Sequence, residues 1–203
     1  MNVLLSTTYF GPVQWYQKLH RADEVWIERC ETFQKQTYRN RCIIATTQGA
    51  QALTVPVERP SLPHGSLSTI KDVRISDHGD WRRLHWNALQ SAYGESPFFE
   101  YYEDDLRPFF ERRWTFLFDF NEEIRQKMCE LIDIRPQVHY TNDYVKKADG
   151  DYRDAIQPKH PTPDTDFQPC PYYQVYRQKH GFLPNLSILD LLLNMGPEAI
   201  FWL

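Results

Sequence analysis

Hydrophobic positions alternate with a period of two at the start of the chain and shift to a helical period towards its middle. Val3 to Phe10 is a β-rich run closed by Gly11-Pro12, after which Val13, Trp15, Tyr16 and Leu19 recur at near-helical spacing. Glu24 to Glu28 then alternates like a second strand. Strand, short helix and strand make a βαβ unit, so the first two strands are expected to lie parallel and adjacent. Arg41 to Thr47 and Gln51 to Val57 flank Gln48-Gly49-Ala50, whose glycine suits a hairpin turn and makes the expected sheet a mixed one. Pro60 to Ser68 reads as a loop and Ile70 to Ile75 as a further strand.

From Trp81 the register changes. Trp81, Leu84, His85, Ala88, Leu89 and Ala92 share one helical face up to Gly94, with Asp80 as the expected N-cap. Two more helices follow, over Phe98 to Arg112 with a kink or break at Pro108 and over about Asn121 to Ile132. Gln137 to Thr141 and Tyr172 to Tyr176 read as late strands. Between them, Lys146 to Cys170 is rich in Asp, Lys and Pro and reads as a long surface loop or lid. Ser187-Ile-Leu-Asp190 has the shape of a capping box before a last helix that Gly196-Pro197 ends. The expectation is one α/β (mixed α+β) domain over residues 1–203, with a mixed sheet opened by a βαβ unit, a helical middle segment and a C-terminal helix.

Composition narrows the class. A chain of 203 residues can bury a core without cross-links. Six Trp, 12 Tyr and 12 Phe supply rigid walls for a pocket as well as core. The net charge of −4, with both signs interleaved, argues against a nucleic-acid partner. Cys30, Cys42, Cys129 and Cys170 lie far apart with no zinc spacing and read as free thiols. No secretory leader and no run of about 20 apolar residues is present, so the expected location is the cytoplasm, with at most peripheral membrane contact.

The most informative segment is Gln36-Thr-Tyr-Arg39-Asn40-Arg41-Cys42. If extended, it turns Arg39 and Arg41 to one face, two guanidinium forks suited to a phosphate, diphosphate or carboxylate. The alternative is a sheet edge whose arginines pair with Glu28 or Glu31. Asp77-His78-Gly79-Asp80-Trp81 sits where a strand gives way to a helix, and His78 there is either an acid/base or a turn residue. His85, one turn beyond Trp81, is either a hydrogen-bonded core histidine or a cleft residue. Tyr9, after the first strand, either joins the rim at the carboxyl ends of the strands or closes the core. Neither a metal site on His78 and His85 nor a nucleophile at Cys170 has supporting spacing, and the common nucleotide and hydrolase motifs are absent, so no metal or cofactor is expected.

Six short pieces in order resemble the WbqC-like proteins: Tyr9-Phe-Gly-Pro12 with Trp15-Tyr16, Gln36 to Arg41, Leu53 to Val57, Trp81 with His85-Trp86, Tyr93 with Ser96 to Phe99, and Leu186 to Gly196. The resemblance implies a role in cell-surface polysaccharide biosynthesis of the O-antigen type, as a transferase of a small acyl or aminoacyl (glycyl) group to a sugar. The pattern positions it carries over are Tyr9, Arg39, Asn40, Arg41, Trp81, His85 and Asp190. On that expectation Arg39, Arg41, Tyr9 and Trp81 bind an anionic or sugar-nucleotide ligand, while His85, His78 and Asn40 supply the base and oxyanion contacts. The alternative is a non-catalytic binding or scaffold protein with the same cleft. Lys146 to Phe167 follows no part of the pattern.

Overall fold

The computed structural model describes residues 2–58 and 68–203. The loop read over Pro60 to Ser68 therefore lies, but for Ser68, outside the described residues. The chain forms a mixed α+β single domain. Strand β1 (Asn2–Ser6), helix α1 (Val13–Arg21) and strand β2 (Glu24–Glu28) form the βαβ unit, with β1 and β2 parallel from Asn2 beside Glu24 to Ser6 beside Glu28. Strands β3 (Arg41–Thr46) and β4 (Gly49–Thr54) form the hairpin, and Gly49 at φ +103° takes the backbone conformation its turn requires. Helix α2 (Trp81–Tyr93), helix α3 (Phe99–Leu106), helix α4 (Pro108–Glu111) and helix α5 (Leu117–Ile132) make up the helical middle, with Pro108 starting α4. Strand β5 (Val138–Tyr140) runs parallel to β2, and helix α6 (Arg177–His180) and helix α7 (Ile188–Met195) follow.

The strands do not merge into one mixed sheet. They divide into a parallel sheet, β1-β2-β5, and a separate antiparallel pair, β3-β4. The pair stays separate because groups on β3 that a third strand would bond are already taken. The Ser187 N–H donates to the Ile43 carbonyl, and the Ala45 N–H donates to the Tyr93 hydroxyl at 3.1 Å. Ile70 to Ile75 is not a strand either. Thr69 and Asp72 bond side chain to side chain across a short 3-10 turn, Ile70–Asp72, leaving single bridges at Arg74 and Ile75. Tyr172 to Tyr176 also lacks strand pairing, because a side chain does the work of a partner strand. The Gln174 carboxamide donates to the Leu183 carbonyl and accepts from its N–H, both at 2.9 Å.

Both helix caps read from sequence need correction. Asp80 sits in the left-handed region at φ +48° with no capping bond, and its carboxylate holds Arg83 Nε at 2.6 Å. Ser187 does cap α7, accepting from the Leu189 N–H at 3.2 Å, but Asp190 turns into the core.

Lys146 to Cys170 is only partly surface. Leu4 bonds through both its N–H and its carbonyl to Gly150 and Tyr152, so residues 150–152 run parallel to β1 on the side away from β2. Gly150 makes this possible. Its φ is +74°, and a Cβ there would stand 2.3 Å from the Asn2 carbonyl oxygen. Four parallel segments thus end together, at Ser6, Glu28, Tyr140 and Tyr152. The chain moves to one side of β1 for β2 and β5 and returns to the other side for residues 150–152. Such a reversal of strand order opens a crevice beyond the carboxyl ends.

Candidate functional site

That crevice holds the densest set of buried charges among the described residues. Glu28 ends β2 with no exposed surface, accepting from Thr141 Oγ1 at 2.6 Å, from the N–H groups of Cys30 and Val145 at 2.8 and 2.9 Å, and facing Arg153 Nη1 at 3.6 Å. Glu31 takes Arg39 as a two-pronged fork, Nε to Oε1 at 2.8 Å and Nη2 to Oε2 at 2.5 Å. Ser6, the last residue of β1, bridges this pair, accepting from Arg39 Nη2 at 2.8 Å and donating to Glu31 Oε2 at 3.2 Å. Arg153 is forked in the same manner on Asp151 and donates to the Val145 carbonyl. Asp151 holds the Arg153 guanidinium above its ordinary range despite burial.

Between these pairs is a cavity of about 10 Å³, room for about one water molecule, where Thr7, Thr8 and Tyr38 meet Arg39, Tyr152 and Arg153. The hydroxyls of Thr7 and Thr8 are buried and have no hydrogen-bond partner. A buried polar group without a partner is costly, so two neighbouring residues that each carry one and line the same cavity mark a place where a water molecule or a ligand hydroxyl would serve as partner.

The seven site residues expected from the sequence are scattered by the fold. Arg39 is in the crevice. Arg41 is half-buried on β3, its Nε 3.1 Å from Thr54 Oγ1. Residues 35–40 form turns rather than an extended run, so the two forks do not stand side by side. Asn40 is buried between them, donating to the Val55 carbonyl at 2.8 Å, with its Oδ1 unpartnered. Tyr9, Trp81 and His85 come together in a buried aromatic cluster with Phe120. His78 stands exposed in the turn before α2, where the neighbouring Asp77 pairs with Arg82 at 2.7 Å. Arg82 holds the Asp77 carboxyl below its usual range.

His85 Nδ1 lies 2.8 Å from the Tyr9 hydroxyl, and burial pushes the ring down to about 4, opposed only by the Thr54 backbone. The ring is therefore neutral at pH 7, and in the unfolded chain it regains a value near 6.5. The folded state resists protonation while the unfolded state accepts it, so this contribution is complete above pH 6.5 and is lost as the pH falls towards 4. Urea unfolding of the wild type should show a loss of roughly 3 kcal/mol from His85 over that window. The loss should shrink in His85→Gln.

Sequence reasoning missed Thr7, Thr8, Glu28 and Arg153 as site residues. The two threonines directly follow β1, so the rule that placed Tyr9 on the rim applied to them as well. Arg153 had no such signal, because a single bridged residue leaves no periodicity.

Among the described residues, no helix is long and apolar enough to cross a membrane, and no group of three or more His, Cys, Asp or Glu is placed to hold a metal ion. The model of the WbqC-like protein family matches residues 7–158 and 162–201. The chain is 30% identical to the uncharacterized protein Rv1507c of Mycobacterium tuberculosis, over 97% of its own length and 94% of the relative's. No solved structure matches it.

Proposed function

Because the chain belongs to the WbqC-like protein family, we propose that it is a cytoplasmic transferase of cell-surface polysaccharide biosynthesis, of the O-antigen type, placing a small acyl or aminoacyl (glycyl) group on a nucleotide-linked sugar. The sugar amine or hydroxyl attacks the carbonyl carbon of an activated ester donor. The donor's leaving group departs with the bonding electrons and takes up, through solvent, the proton the nucleophile loses.

The observation that carries the reading is the crevice, where two arginine–carboxylate pairs and two unpartnered threonine hydroxyls converge at a reversal of strand order. Arg39 and Arg153 are both already matched by carboxylates, so a free phosphate would have to displace Glu31 or Asp151. A sugar hydroxyl can instead accept from a guanidinium and donate to its carboxylate at once. The sugar ring is thus the part that enters, once the crevice opens beyond its one-water space, and the phosphates stay outside. Tyr9, Trp81 and His85 form the aromatic core behind the site, and Arg41 and His78 take no part in this reading.

Thermal shift with three probes tests it. UDP-glucose and methyl glucoside should both raise the melting temperature, whereas uridine diphosphate alone should leave it unchanged. Stabilisation by the diphosphate alone would reverse the assignment of sugar and phosphate. The second reading, a non-catalytic binding protein, is favoured by the complete pairing of the crevice's charged groups. It predicts the same thermal shifts but no acyl transfer from an activated ester to an amino sugar.

A further inference from the structure

Five side chains among the described residues carry a buried polar atom and make no hydrogen bond: Thr7, Thr8, Gln17, Ser96 and Trp114. Three of the five gather around one tyrosine. Thr7 and Thr8 line the 10 Å³ cavity together with Tyr152. Gln17, on α1 and almost wholly buried, lines a second cavity of about 110 Å³, which Tyr152 also lines, with Val3, Ala22, Arg21 and Asp166. Tyr152 is shared by the two, its ring held by Lys18 Nζ at 4.3 Å from its centre and its hydroxyl bonded to Asp166 at 3.2 Å.

The segment from Tyr152 to Phe167 straps over this region, and from Gln157 to Cys170 no residue is buried. Beyond Ile156, which joins the core, polar tethers and the half-buried Phe167 ring hold it. Asp164 takes Lys18 at 2.9 Å and Gln14 Nε2 at 2.8 Å, and Lys159 donates to Gln36 Oε1 at 2.8 Å. A segment with few apolar contacts opens at lower free energy than the core beneath it.

We infer that the two cavities are parts of one ligand cleft, closed by the strap and sharing Tyr152, and that opening it admits a neutral, hydroxyl-rich ligand reaching from Thr7 and Thr8 to Gln17. This extends the reading of the crevice as a sugar site and rests on it. Charge sets the ligand class. Lys18 is matched by Asp164, Arg39 by Glu31 and Arg153 by Asp151, while Arg21 is spent on the Leu203 carbonyl at 2.7 Å. What remains without a partner is two hydroxyls and a carboxamide, groups that both donate and accept, and hydroxyls of a ligand answer both needs. Val3, Ala22 and the Tyr152 ring offer apolar walls to its C–H faces.

Thr7→Val and Gln17→Leu test the cleft, because each removes a polar group without removing a hydrogen bond. Both variants should melt at or above the wild-type temperature, and both should bind UDP-glucose at least fivefold more weakly. Lower melting would mean these groups serve the fold, and unchanged affinity would mean they do not face the ligand; either overturns the cleft. The strap is tested without any ligand. In Lys18→Met, amide hydrogen exchange over residues 155–168 should accelerate at least tenfold while α5 stays unchanged, and equal exchange in variant and wild type overturns the opening. If UDP-glucose fails to bind the wild type, the sugar reading and the ligand class fall together, whereas the exchange result still decides the strap.

Discussion

Arg39→Met is expected to lower the free energy of unfolding by roughly 3–5 kcal/mol, because it leaves the Glu31 carboxylate buried without its guanidinium partner. For a chain of this length that corresponds to a fall of about 10 °C in melting temperature. The cost belongs to the abandoned charge rather than to the lost attraction. Arg39→Met combined with Glu31→Leu should therefore recover most of the stability, as buried ion pairs exchanged for packed apolar groups commonly do. Urea unfolding of the two variants measures both quantities. A double variant as unstable as the single one would show that the arginine stabilises through packing or through Ser6. The folded double variant also separates stability from binding, since it should retain its fold and lose the thermal shift with UDP-glucose.

The second large effect is expected at Asp190. Its carboxylate, with no exposed surface, accepts from the Tyr93 hydroxyl at 2.9 Å, the Tyr172 hydroxyl at 2.7 Å and Gln174 Nε2 at 2.8 Å. Burial nonetheless raises its carboxyl above the usual range. These bonds tie α7 to the end of α2 and to the irregular segment before α6, and the Tyr93 hydroxyl carries the link on to β3 through Ala45. Asp190→Leu keeps the branched shape but removes three hydrogen bonds, leaving the Tyr172 hydroxyl with no partner while Tyr93 keeps Ala45 and Gln174 keeps Leu183. A loss of about 3 kcal/mol should follow, at about 1 kcal/mol for each of the three hydrogen bonds removed. Tyr172→Phe removes one donor and leaves the carboxylate two others, so it should cost only about 1 kcal/mol. Equal losses in the two variants, measured by urea unfolding, would mean that the hub is not shared among three donors.

Both residues were visible in the sequence, and in both the partner was what local reasoning could not supply. Arg39 appeared as one of two forks on an extended segment, with Glu31 among its alternative partners. The fold realises that pairing, but buried beneath Ser6 rather than on a sheet edge. The sequence makes Asp190 the fourth residue of a capping box. Ser187 caps as expected, but the carboxylate three residues on faces inwards, because Tyr93 and Tyr172 offer it donors there.

Periodicity and single Gly, Pro and Ser signals determined the βαβ unit, the β3-β4 hairpin, the interruption at Pro108 and the last helix, because each depends on contacts between near neighbours or on a backbone constraint of one residue. Ordered short motifs determined the family. Tertiary structure alone decided that the strands form two sheets, that Gln174 replaces a partner strand by its side chain, and that residues 150–152 extend the parallel sheet beyond β1. The crevice depends on that last placement. It joins Thr7 and Thr8 to Arg153 across more than 140 positions of chain, and such a contact leaves no period or spacing in the sequence because its energy comes from groups that meet only after folding.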